Sequence, residues 1–70
     1  MNVIEKTQAI TDGATAYFAA QGIATEDQAI YAASHLAWLL AELTGTDKWK
    51  RDYAKKQVRN LVKLGEPQNG

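Results

Sequence analysis

Apolar residues recur along this chain at spacings of three and four, the period of an α-helix, and nowhere alternate long enough to read as a strand. In the first stretch Val3, Thr7, Ile10, Ala14, Tyr17 and Gln21 form one stripe with Phe18 beside it, which predicts a core-facing helix over residues 2–21. Ala9, Gly13, Ala16 and Ala20 form a second stripe on the same helix. Small residues in a row let another helix approach closely, and a glycine inside a helix costs about 1 kcal/mol against alanine, so Gly13 asks for a packing reason. The stripe is a candidate self-association surface; the alternative is exposed alanine serving helix propensity.

Gly22 ends the first helix and Thr25 opens a second over residues 26–44. Thr25 and Gln28 are spaced for a capping box, and Glu26 and Asp27 suit the positive end of the helix dipole. Ala29, Ile30, Ala32, Ala33, Leu36, Ala37, Leu39, Leu40 and Leu43 cover more than half of its circumference, which predicts a helix at the centre of the fold. The remaining face carries Tyr31, His35, Trp38 and Glu42 at spacings of four, three and four, with Ser34 alongside. A face polar enough to avoid the core yet rich in Tyr and Trp has the pattern of a recognition patch. These five are the candidate partner-binding residues, unless a third helix or a second subunit covers them.

After Gly45, Thr46 or Asp47 is placed to cap a third helix over residues 47–64, with Lys63 in its last turn and Gly65 and Pro67 to stop it. Residues 66–70 read as a frayed tail outside a single domain of residues 1–65. Trp49, Tyr53, Ala54, Val58, Leu61 and Leu64 spread over one side of the third helix. Lys48, Arg51, Lys55, Lys56, Arg59 and Lys63 form its basic side. The short connections make neighbouring helices turn back on one another, so the expected fold is all-α, a small antiparallel three-helix arrangement or a helical hairpin plus a third arm.

Composition sharpens this picture in two ways. Cysteine is absent and His35 is the one histidine among seventy residues, so neither a disulfide nor a thiolate or histidine-rich metal site is available, and no cofactor is expected. A core of this size supplies only about 3–5 kcal/mol unless something adds to it, which makes completion by homodimerisation the expectation. The zero net charge hides an asymmetry. Residues 1–46 carry one basic residue against five acidic ones, and residues 47–70 carry seven against three. An acidic front and a basic rear point to a charged partner or a self-complementary assembly.

Four function classes can be weighed on these residues. A helix-turn-helix is suggested by Ala41 and Gly45 at the turn, but its recognition helix needs an apolar anchor where Arg51 stands. Phosphate binding by the basic side remains the alternative reading, with Asp47 and Asp52 diluting the field. Catalysis is not expected: His35 lies about two helical turns from Glu26 and Glu42, and there is no glycine-rich phosphate loop. Membrane action is disfavoured, because the longest charge-free apolar run, residues 28–41, is shorter than a span and Met1–Lys6 lacks a secretory pattern. The reading that best fits is a cytoplasmic, non-enzymatic interaction module that binds a protein partner and blocks or modulates it. Small cysteine-free binders of this size are common among phage and mobile-element regulators.

Overall fold

In the computed structural model, which describes residues 2–66, the first and third helices begin on side-chain caps and the second does not. Asn2 caps α1 (Val3–Ala20), its Oδ1 accepting the Glu5 amide at 2.8 Å. Thr7, Thr11 and Thr15 return their hydroxyls to the carbonyls four residues back, so Thr7 is satisfied on its own helix and stays exposed. The helix ends in a Schellman turn: the Ile23 amide donates to Phe18 and the Gly22 amide to Ala19, with Gly22 at φ +85°.

That turn sets where α2 (Thr25–Leu43) starts. Ala24, not Thr25, takes the N-cap position, and no side chain caps it. The expected capping box is therefore absent. Gln28 instead donates through Nε2 to the Ile23 carbonyl at 2.9 Å, tying the helix to the incoming turn. Between Asp47 and Thr46, the structure selects Asp47 as the cap of α3 (Lys48–Gly65): its Oδ1 accepts the amides of Trp49 and Lys50. Asp47→Ala is expected to cost about 1 kcal/mol, which in a domain of this size lowers the melting midpoint by about 4–8 °C in a thermal circular-dichroism scan.

Gly65 does not stop α3 as its sequence position suggests; it is the helix's last residue and a packing contact. A Cβ on Gly65 would overlap the Ala9 carbonyl oxygen and lie 2.6 Å from the Gly13 amide nitrogen. A Cβ on Gly13 would overlap the Leu61 carbonyl oxygen and lie 2.7 Å from its carbon. Backbone meets backbone here, and only glycine at both places allows it. Because Gly13 faces Leu61 and Ala9 faces Gly65, α1 and α3 run antiparallel. In an up-down-up bundle the first and third helices would be parallel, so α2 cannot run antiparallel to both; joined to each by a short turn and packed on both through the shared core, it crosses the pair as a second layer. Residues 67–70, including Pro67 and most of the expected tail, lie outside the described residues.

The core follows from this close approach. Leu39 of α2, 1% exposed, sits among Ala14, Ala32, Ala54 and Leu61, with Phe18, Leu36, Leu43 and Val58 around them. Small residues let the three backbones converge, and they leave little volume for large side chains. Two expectations change as a result. Val3 and Gln21 of the first predicted stripe are exposed, whereas Ala9 and Gly13 of the second are buried against α3 of the same chain. Only Ala16 and Ala20 of the proposed self-association stripe remain open. On α2, Ala29, Ile30, Ala33, Ala37 and Leu40 are exposed, because a helix in an outer layer turns one side to the core and not two.

Candidate functional site

The aromatic residues collect where the end of α1, the middle of α2 and the start of α3 converge. The His35 ring lies parallel to Tyr17 at 5.9 Å and edge-on to Phe18 at 5.7 Å. Phe18 in turn packs on Tyr31 at 5.6 Å, and His35 meets Trp38 at 5.8 Å. Tyr31, Phe18, His35 and Trp38 thus form a continuous aromatic run, with Tyr17 on its flank. On α3, Trp49 and Tyr53 stack at 6.1 Å with their planes 6° apart, one helical turn apart in sequence.

Two clefts lie between these groups. One, of about 240 Å³, is lined by Tyr17, His35, Trp38, Tyr53, Gln57, Asn60, Leu61 and Leu64. The other, of about 250 Å³, is lined by Trp38, Glu42, Trp49, Lys50 and Tyr53. They meet at Trp38 and Tyr53, which are 45% and 46% exposed. The joint groove has an aromatic middle, the amides of Gln57 and Asn60 toward one end, and the opposite charges of Glu42 and Lys50 toward the other. Each cleft is smaller than the roughly 300–1,000 Å³ of small-molecule sites and suits single bulky side chains.

Of the five candidate residues on the second helix, His35, Trp38 and Glu42 line these clefts. Tyr31 lies at the Phe18 end of the aromatic run, and Ser34 is exposed without lining either cleft. Periodicity alone places the other wall with the apolar faces: Tyr17 in the first stripe of α1, and Tyr53 and Leu64 on the apolar side of α3. A signal for it exists in the sequence. Trp49, Tyr53, Gln57, Asn60 and Leu64 follow one another at spacings of four, four, three and four, a mixed aromatic and amide stripe beside the core face.

The basic side of α3 lines neither cleft. Lys48, Lys55, Lys56, Arg59 and Lys63 are exposed, with Asp52 among them. Arg51 is different: it is partly buried and donates from Nη1 to the Gly45 carbonyl at 2.9 Å, clasping the turn between α2 and α3. The position that a helix-turn-helix would fill with an apolar anchor therefore holds the connecting turn. Among the described residues, no helix is long and apolar enough to cross a membrane, and no three His, Asp or Glu side chains are grouped to hold a metal ion. No family model, curated protein or solved structure matches this chain, so the site is read from its own geometry.

Proposed function

We propose that this chain is a non-enzymatic helical interaction module, working as a homodimer in the cytoplasm, that seats a segment of another protein in the Trp38–Tyr53 groove and so blocks or modulates it. One observation carries the reading: two adjoining clefts share a pair of half-exposed aromatic side chains. Trp and Tyr are the residue types most often found to dominate binding energy, and they do so when a partner completes their burial. The groove favours a segment with two bulky apolar anchors, a hydrogen-bonding group for Gln57 and Asn60, and charge to match Glu42 and Lys50. The basic side of α3 would add electrostatic steering, raising the association rate of an acidic partner more than its affinity.

Selection of a displayed random-peptide library against the purified chain tests this. Enriched peptides should share paired aromatic or aliphatic anchors and should compete with one another for the chain. A library that yields no enrichment, or peptides indifferent to changes in the groove, would remove the proposal.

Five exposed cations on one side of α3 favour a second reading, phosphate binding on a nucleic acid. In that case a random DNA duplex is retarded at low salt and released as salt rises. Lys55→Ala combined with Arg59→Ala should then lower the slope of log affinity against log salt by about 2, since each phosphate contact contributes about 0.9. Absence of any retardation at low salt eliminates it.

A further inference from the structure

We infer that the homodimer forms through the outer face of α2, with two copies of that helix packed antiparallel about a two-fold axis level with residue 35. This rests on the proposal that the chain works as a dimer, and it adds the face and the orientation.

The layer arrangement leaves α2 open on the side away from α1 and α3. Ala29, Ile30, Ala33, Ala37, Leu40 and Ala41 all lie there, with Ile30 66% and Leu40 61% exposed. At 100° per residue these six fall within about a third of the helix circumference. From residue 28 to residue 41 the helix carries no Asp, Glu, Lys or Arg. An exposed helix face in a monomer is ordinarily polar, so this one lacks a covering.

The pattern of sizes indicates what covers it. Ile30, Ala33, Ala37 and Leu40 are spaced three, four and three, large outside and small inside, and the order reads the same from either end. Ala29 and Ala41 continue the symmetry about the same centre. A two-fold interface must be self-complementary, because each patch meets its own copy reversed. An antiparallel pair centred at residue 35 sets Ile30 against the partner's Leu40 and Ala33 against the partner's Ala37. The alanines let the axes approach to about 8 Å while the branched residues close the ends. The lack of charge fits the same symmetry, since any charge near a two-fold axis would oppose its own copy. One helix face belongs with interfaces below about 1,200 Å², which hold reversible complexes, so the dimer is concentration-dependent.

The orientation has a functional consequence. A two-fold axis lying in the interface and perpendicular to the helices carries the Trp38 flank of each copy to the same side of the dimer. Both grooves then open together, and a partner with two anchor segments gains from effective concentration.

Sedimentation equilibrium across a concentration series tests the inference on the intact chain. The wild type should pass from monomer to dimer. Ala37→Glu, at an exposed helical position, should weaken the dimer at least about 100-fold through like-charge opposition at the axis, with helical circular dichroism unchanged. Ala16→Glu, on the open part of the α1 stripe, should leave it intact. A wild type that stays monomeric defeats dimerisation altogether; a dimer that survives Ala37→Glu defeats only this face. Register is read separately by cysteine pairing in a chain that has none of its own. Under oxidation, Ala33→Cys mixed with Ala37→Cys should give mostly the mixed disulfide, whereas predominance of like-with-like disulfides would overturn the antiparallel arrangement.

Discussion

Gly13→Ala is expected to unfold this protein. Helix propensity alone gives the opposite sign, since alanine in place of a helical glycine is worth about 1 kcal/mol of stabilisation. The geometry decides against it. A methyl on Gly13 would occupy the space of the Leu61 carbonyl, which is backbone and cannot rotate aside. Overpacking a core costs about 1–3 kcal/mol when side chains can adjust, and a clash with helical backbone belongs at or above the upper end. A domain of this size holds about 3–5 kcal/mol in all, so the loss removes most of its stability. Gly65→Ala should behave alike, because its methyl meets the Ala9 carbonyl on the opposite helix. Gly45→Ala is the control: its nearest neighbours lie 3.4 and 3.5 Å from the added carbon, an ordinary contact. Cooperative thermal melting should therefore vanish or drop by tens of degrees for Gly13→Ala and Gly65→Ala while Gly45→Ala stays close to wild type. A Gly13→Ala variant melting at or above the wild-type temperature would show that α1 and α3 do not meet backbone to backbone.

Trp38→Ala is expected to abolish partner binding and leave the fold standing. Trp38 is nearly half exposed and its ring meets His35, so its truncation should cost stability only about 1–2 kcal/mol. In binding it stands where both clefts meet. Removing a central aromatic anchor typically costs about 2–4 kcal/mol, or roughly 30- to 1,000-fold in Kd. Titration calorimetry with a peptide selected on the wild type measures that ratio, and circular dichroism on the same sample reports the fold. Leu39→Ala supplies the contrast. Leu39 is buried at the junction of all three helices, and its loss should cost about 2–5 kcal/mol of stability, with binding falling only because the fold does. If Trp38→Ala melts as Leu39→Ala does, Trp38 is a core residue and the groove is not a binding surface. A fold and an affinity both unchanged would equally remove Trp38 from the site.

Much of this molecule was legible along the chain. Three helices, their order and the turn at Gly22 follow from local rules, and the cap of the third helix is narrowed to Thr46 or Asp47, because capping, helix periodicity and left-handed glycines involve residues within a few positions of each other. Gly13 stood out for the same reason: a glycine in a helical stripe departs from local preference and asks for a neighbour. The groove was half legible. His35, Trp38 and Glu42 share a stripe on one helix, whereas Tyr53, Gln57, Asn60 and Leu64 belong to another, and no local pattern says which stripes will face each other.

The sequence left the arrangement of the helices open between an antiparallel bundle and a hairpin with a third arm. Short connections are satisfied equally by three parallel-packed rods and by a pair crossed by a third helix. What separates the two is the fit of Gly13 and Gly65 against backbone more than forty residues away in sequence. That contact draws α1 and α3 together, sends α2 over the top, and exposes Ile30, Ala33, Ala37 and Leu40, which periodicity alone assigns to the interior. The amino-acid order by itself determined where each helix lies and which stripes it carries, since both depend on nearest neighbours. Only the tertiary structure decided which stripe became core, groove or open face, because that choice depends on how closely distant backbones can approach.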